Sequence, residues 1–264
     1  MKPFLILQLR PEDEASDDEY AAMLRTGGLA ASETHRIRLD QQEIPADLTL
    51  TDYAGVIVGG GPGCVSDAPA DKSPQEAKIE SACMALMPQI TATDHPFMGC
   101  CYGIGILAHH LGADVSKARY SEPVSAVTCT ITPDGADDPL ITGLPAQFDA
   151  FVGHKEAVQH LPDGATHLLA SDSCPMQMIR YKSNVYATQF HPEADGQSFA
   201  TRIRIYKNKG YFPPEEAAAL TDMVITYLVD GYYNPADELG VAWDDPVIGA
   251  DWGVAAPVLS RRDE

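Results

Sequence analysis

Basic residues are scarce in this chain: 18 Lys and Arg stand against 38 Asp and Glu, a formal net charge of -20. A surface that acidic repels phosphate backbones and anionic headgroups, which argues against nucleic acid or a membrane as partner. Long apolar runs are missing too. No stretch approaches the roughly 20 residues that span a bilayer, and the opening Met1-Lys-Pro-Phe-Leu-Ile-Leu-Gln-Leu-Arg10 turns polar too soon for a secretory signal. The expected location is the cytoplasm. The 6 cysteines form no CxxC pair, and the adjacent Cys100 and Cys101 are badly placed to bridge, so reduced thiols are expected. The glycine run Gly59-Gly-Gly-Pro-Gly63 has neither the GxGxxG nor the GxxxxGK[ST] spacing, so it is no dinucleotide fingerprint or phosphate loop. No cofactor is implied, and His109, His110, His154 and His160 lack metal-ligand spacing.

What the chain does have is a glycine-bracketed cysteine. In His95-Pro-Phe-Met-Gly-Cys-Cys-Tyr-Gly-Ile-Gly-Ile-Leu-Ala108, a short apolar strand runs through Cys101 into a helix. Gly99 and Gly103 stand two before and two after that cysteine, as a nucleophile elbow requires. The helix carries Ile104, Leu107, Ala108 and Leu111 at helical spacing and stops at Gly112, so its N-terminus lies under the sulfur and favours a thiolate. The alternative is a pair of buried core thiols, the reading preferred for Cys100.

Around this stretch, buried strands are expected at residues 4–9, 35–39 and 53–58, an acidic loop at 11–19, a helix through Tyr20, Met23 and Leu24, and a capped helix from Ser73 to about Met87. Alternating strands and helices predict an α/β fold with an open, mostly parallel sheet flanked by helices. From Ser121 on, β-branched segments at residues 123–131, 148–152, 166–170, 176–181 and 185–190 predict added antiparallel strands, with a turn at Lys182-Ser-Asn184. Helices are expected at 197–209 and 214–229. One domain of residues 1–234 is expected, followed by an acidic tail, 235–264, whose Trp243 and Trp252 wrap the body.

Ligands of such sheets bind at the carboxyl ends of strands, where both Cys101 and the glycine run fall. Bare glycine amides there suit an oxyanion, although a tight loop without a ligand has the same composition. The run Val185-Tyr-Ala-Thr-Gln-Phe-His-Pro-Glu193 sets His191 and Glu193 on one side of an extended chain. The carboxylate would then orient the imidazole; a surface turn is the plainer reading of His-Pro-Glu alone.

Together these residues resemble the class I glutamine amidotransferase family, with its flavodoxin-like fold, and within it proteins similar to the amidotransferase domain of guanosine monophosphate synthetase. The resemblance covers roughly residues 3–230. It rests on Gly59-Gly-Gly-Pro-Gly63, on Gly-Cys-Cys-Tyr-Gly at 99–103 as GxCxG, on Thr188-Gln-Phe-His-Pro-Glu193, and less on Phe151-Val-Gly-His-Lys-Glu-Ala-Val158, similar to the segment lining the family's glutamine pocket. It implies a catalytic Cys101, His191 and Glu193, a γ-glutamyl thioester on Cys101, and an oxyanion and substrate site of Gly60, Gly61, Tyr102, Gly105 and His154. The substrate it implies is a γ-glutamyl compound such as glutamine. At Gly105 the family usually carries a substrate-holding Gln, so the identity of the amide stays open, with a γ-glutamyl peptidase and a non-catalytic binding relative as alternatives. No ATP-binding synthetase motif follows, so an aminated product implies a separate acceptor or synthetase subunit.

Overall fold

The computed structural model describes residues 2–231; the tail with Trp243 and Trp252 lies outside them. In chain order the elements are β1 (Phe4–Gln8), α1 (Asp13–Gly27), β2 (Thr34–Arg38), β3 (Gly55–Val58), α2 (Pro74–Thr93), β4 (Phe97–Cys100), α3 (Tyr102–His110), β5 (Val115–Ser116), β6 (Glu122–Ile131), β7 (Gln147–His154), β8 (Ala157–Val158), β9 (Ala165–Ala170), β10 (Met178–Tyr181), β11 (Val185–Thr188), α4 (Gly196–Tyr206) and α5 (Ala217–Gly231). Residues up to Leu228 form one compact unit, and a second begins at Val229. No helix among the described residues is long and apolar enough to cross a membrane.

Among the described residues the main sheet has nine strands, in the order β2-β1-β3-β4-β11-β10-β9-β6-β7. The first five run parallel and the rest pair antiparallel, as expected from the change of texture after Ser121. β11, expected among the added antiparallel strands, is the exception: it pairs antiparallel with β10 but returns parallel beside β4, with Thr188 opposite Cys100. That return brings the two chemical stretches, far apart in the chain, to neighbouring strand ends: the Cys101 amide donates to the Thr188 carbonyl at 2.7 Å.

Alternation on β1 sorts its side chains between the two faces. Leu5, Leu7 and Leu9 join a core with Ile79, Met87 and Ile90 of α2 and Ile104 and Leu107 of α3. On the other face, Gln8 donates to the Ser16 carbonyl of α1 (2.6 Å). α3 is buried from Tyr102 through Ala108, so the helix beneath the elbow is a core element.

Two helix boundaries differ most from expectation. The acidic stretch 11–19 is no loop, because α1 already starts at Asp13; Asp13 and Glu14 occupy the first turn, where the helix dipole favours negative charge. Nor is Glu19 solvated: it is fully buried and paired with Arg10 (2.8 Å). The second difference is α2, which passes through Pro88 to Thr93. A mid-helix proline costs about 3 kcal/mol, and burial of Met87, Ile90 and Thr91 on the core face offsets it. The helix stops at Asp94, left-handed at φ 54°. The Asp94 carboxylate accepts the amides of Ser183 (3.2 Å) and Asn184 (3.0 Å) and so fixes the β10–β11 turn.

Candidate active site

Cys101 sits between β4 and α3 with φ 54° and ψ -92°, a strained conformation for a residue with a side chain, costing on the order of 1–3 kcal/mol. Such strain persists only where the surroundings enforce it, and Gly99 is the clearest instance. A Cβ there would lie 2.8 Å from the Gly103 carbonyl carbon and 2.9 Å from its oxygen. The sharp strand-to-helix turn is closed by that contact.

Facing Cys101 is the segment after β11. The His191 amide donates to the Phe151 carbonyl (3.0 Å), and Phe199 packs edge-on against the imidazole at 5.5 Å between centroids. His191 Nδ1 lies 2.8 Å from Glu193 Oε1. An ionised carboxylate can only accept, so Nδ1 carries the proton and Nε2 keeps its lone pair, the form a general base needs. Glu193 Oε1 also accepts from Arg202 Nη2 of α4 (3.0 Å). The three side chains are buried, with Cys101 9 %, His191 5 % and Glu193 5 % exposed.

This burial decides the protonation states. It pushes the Cys101 thiol up to about 12, outweighing the nearby positive charges of Arg10 and Arg202. Burial also lowers the His191 pKa, against the opposing pull of Glu193. For Glu193, burial works against the charge, but His191 and Arg202 together hold the carboxyl well below its usual range. Thiol and imidazole therefore both rest neutral, because desolvation disfavours the charged form of each. Because the thiol pKa is raised, the thiolate fraction grows with pH throughout the accessible range. Alkylation of Cys101 by iodoacetamide, followed by peptide mass mapping, should accelerate about tenfold per pH unit from 7 to 9; a plateau already reached at pH 7 would show a resting thiolate.

The glycine run divides its labour. The Gly60 amide is committed to Glu19 Oε1 (3.1 Å), so Gly60 is no oxyanion donor. Its missing side chain makes room instead, since a Cβ would fall 2.8 Å from His191 Cε1 and 2.6 Å from Arg10 Nη2. Gly61 and Tyr102 border the cavity beside Cys101. Tyr102 opens α3, where helix geometry leaves its amide without an intrahelical partner.

Arg10 and Glu19 underpin this loop from below, and neither was singled out from sequence. Removing one partner of such a buried pair strands the other charge. Glu19→Ala is expected to cost about 3–5 kcal/mol, read as a lower urea midpoint at unchanged slope.

Gly105 borders the same cavity as Cys101. A Cβ there would meet Glu156 Oε1 at 3.4 Å and Val65 Cγ2 at 3.3 Å, so Glu156 and Val65 fill the space beside the glycine. Glu156 accepts the amides of Val65 (2.7 Å) and Ser66 (2.9 Å). His154 is a correction. It borders the cavity, but its Nδ1 donates to the Glu156 carbonyl (2.8 Å) and its Nε2 faces Glu122 Oε2 (2.7 Å), leaving no ring nitrogen for a ligand. It braces the wall that carries Glu156. Glu122, His154 and Cys174 bring metal-ligand atom types within 4.8 Å of one another, a grouping invisible in sequence because it joins β6, β7 and the loop after β9. The Glu122 carboxylate is occupied there by His154, Gln177 (2.8 Å), Ser171 (3.3 Å) and Ser173.

Arg202, Tyr211, Glu156 and Gln189 complete the surroundings of Cys101, and none was singled out from sequence. Glu156 and Gln189 did leave a signal, each lying within a stretch that carries the family resemblance.

Comparison with known proteins bears on the family and the fold. The family model for glutamine amidotransferase class-I matches residues 20–207, and that for dTDP-4-dehydrorhamnose 3,5-epimerase matches residues 207–264, mostly outside the described residues. A glutamine-hydrolyzing GMP synthase of Thermosipho africanus is 33% identical over 151 residues, 57% of this chain and 26% of that one. The chain thus spans about a quarter of the length of the first such relatives. A shorter relative from Archaeoglobus fulgidus, named as one subunit of a glutamine-hydrolyzing GMP synthase, is 28% identical over 163 residues, 60% of this chain and 75% of that one. In fold the chain is similar to a glutamine amidotransferase of Thermotoga maritima (TM-score 0.68, 18% identity, covering 87% of this chain and 93% of that one). It is also similar to one of Methylobacillus flagellatus (TM-score 0.61, 19% identity, 89% and 96%). With the family match spanning well over half its length, the chain belongs to the glutamine amidotransferase class-I family.

Proposed function

We propose that the chain hydrolyses the side-chain amide of glutamine through a thioester on Cys101. The observation that carries the reading is the strained elbow cysteine sharing one buried cavity with an imidazole whose Nδ1 is held by Glu193. His191 Nε2 takes the thiol proton as Sγ attacks the carbonyl carbon, and the oxyanion is met by the amides of Gly61 and Tyr102. Collapse breaks the C–N bond; the imidazolium returns its proton to the departing nitrogen, which leaves as ammonia. Water, deprotonated by the same imidazole, then cleaves the thioester to glutamate and restores the thiol. Glu193 keeps the ring in its working tautomer throughout.

Substrate recognition falls to Glu156 in this reading. Its carboxylate lines the cavity beside Gly105, suited in charge to the α-ammonium of a γ-glutamyl group, and stands in for the missing Gln. The released ammonia passes to an acceptor on a separate synthetase subunit, by analogy with the Archaeoglobus fulgidus relative, whose name makes it one subunit of its enzyme. The free, buried cysteines suit a reducing cytoplasm.

The test pairs ammonia release from glutamine with an electrophilic glutamine analogue, followed by intact mass and peptide mapping. One adduct on Cys101 and turnover of glutamine are expected. No adduct at Cys101 together with no turnover of any γ-glutamyl amide would leave a non-catalytic binding protein.

A further inference from the structure

The amide assigned to the oxyanion at Gly61 belongs to the peptide that joins Gly60 to Gly61, and nothing in those two residues fixes which way that peptide faces. Without a Cβ, a glycine peptide plane turns over at little steric cost. Its direction is therefore set from outside. Along the loop after β3, the Gly59 amide donates to the Leu7 carbonyl (3.0 Å) and the Gly60 amide to Glu19 Oε1 (3.1 Å). The Gly61 carbonyl accepts from the Tyr211 hydroxyl (3.3 Å), across 150 positions of chain, and the Pro62 carbonyl accepts from Lys155 Nζ (3.0 Å). The peptide planes on either side of the Gly60–Gly61 peptide are thus each held by a distant side chain. Between them, the Gly61 amide donates to no described residue, and Gly61 borders both cavities that touch Cys101.

Tyr211 is itself well held. It follows Gly210, whose left-handed φ of 79° turns the chain after α4. Its ring lies 5.9 Å between centroids from that of Tyr206, and the same Lys155 Nζ that holds the Pro62 carbonyl lies 4.9 Å from its centroid. The next residue, Phe212, is buried in an apolar cluster with Val124, Phe199, Ile203 and Val224. Desolvation pushes the phenol pKa up, so the hydroxyl keeps the proton it donates. The residue lies past position 207, where the amidotransferase match ends.

We propose that Tyr211 is a positioning residue of the hydrolase: by holding the Gly61 carbonyl, its hydroxyl keeps the Gly61 amide aimed at the oxyanion that develops on the substrate. The proposal rests on the hydrolase reading. The experiment compares the full-length protein with Tyr211→Phe, which removes the hydroxyl and keeps the ring, in two reactions of the same sulfur, both run well below the Tm of either protein. Glutamine turnover passes through an oxyanion. Alkylation of Cys101 by iodoacetamide is a displacement at a saturated carbon, in which the S–C bond forms as iodide leaves and no oxyanion develops. In Tyr211→Phe, kcat for glutamine should fall about tenfold, less than the roughly 10²–10³-fold lost when an oxyanion donor is itself removed. KM should stay within about twofold, since the braced amide acts in the transition state. The alkylation rate at Cys101 should also stay within about twofold, because thiol and imidazole keep their surroundings. An unchanged kcat, a raised KM at unchanged kcat, or an alkylation rate that falls in step with turnover would each overturn the proposal while leaving the hydrolase reading intact. No turnover of glutamine by the unsubstituted protein would overturn the hydrolase reading, and the proposal with it.

Discussion

Cys101→Ala is expected to lower glutamine turnover by about 10⁴-fold or more, to the detection limit, because the proposed thioester forms on its sulfur. The fold should survive. The Cys101 side chain makes no capping bond to α3, and alanine meets the same left-handed strain that the cysteine already bears. A change within about 1 kcal/mol is expected for losing one buried sulfur. Cys101→Gly sharpens the separation of fold from chemistry: relieving a φ of 54° should raise stability by about 1 kcal/mol in a protein equally inactive. Cys100→Ala is the control. Cys100 is buried in β4, burial pushes its thiol well above the ordinary value, and most activity should remain. Ammonia release alongside a thermal melt reads all three; activity near that of the unsubstituted protein in Cys101→Ala would end the mechanism.

The elbow was legible because its constraints are local. Two glycines, a strand and a helix are all written within one short stretch, and the clash that a Cβ on Gly99 would make is with Gly103, one helical turn further on. The pairing of His191 with Glu193 was read from the wrong backbone: the chain is not extended there but turns over residues 191–194, the Ala194 amide donating to the His191 carbonyl at 3.3 Å, and that turn brings Glu193 Oε1 to His191 Nδ1. Gly60 shows where local reading stops. Its amide is claimed by Glu19, 41 positions away, and a loop glycine that donates to an oxyanion has the same sequence as one that makes room for an imidazole. His154 was misjudged likewise, because Glu122 reaches it only through the β6–β7 pairing. The thiol's protonation state was legible only in part: a helix N-terminus that favours the thiolate can be read from sequence, whereas the desolvation that pushes the thiol up is a property of the packed site. Arg202 and Tyr211 belong to segments whose own patterns were recognised or plain, and nothing in either pattern says which side chain reaches across to Cys101.

Glu193→Gln should show how strongly this packed site depends on one charge. Gln retains the shape but supplies an amide whose orientation can satisfy either His191 or Arg202, and it carries no charge for the imidazolium that forms during attack. Turnover should fall by about 10²–10⁴-fold, the range seen when a triad carboxylate is neutralised with its geometry kept. Stability should fall as well. Arg202, 5 % exposed, loses its carboxylate partner, and stranding a buried charge costs about 3–5 kcal/mol, or on the order of 10 °C in Tm for a chain this long. The pH dependence separates this cause from simple misfit. The folded state holds the Glu193 carboxyl below its usual range, so its contribution is complete above the unfolded value of about 4.3 and is lost as pH falls below it. His191, also lowered, adds stability that is complete above about pH 6.5 and declines below that value as the unfolded chain takes up the proton. Urea denaturation at pH 7 and pH 3.5 should therefore find a wide gap between the unsubstituted protein and Glu193→Gln at the higher pH and a narrower one at the lower. A gap of equal size at both would mean that the ionised carboxylate contributes nothing, and that the cost of the substitution is steric.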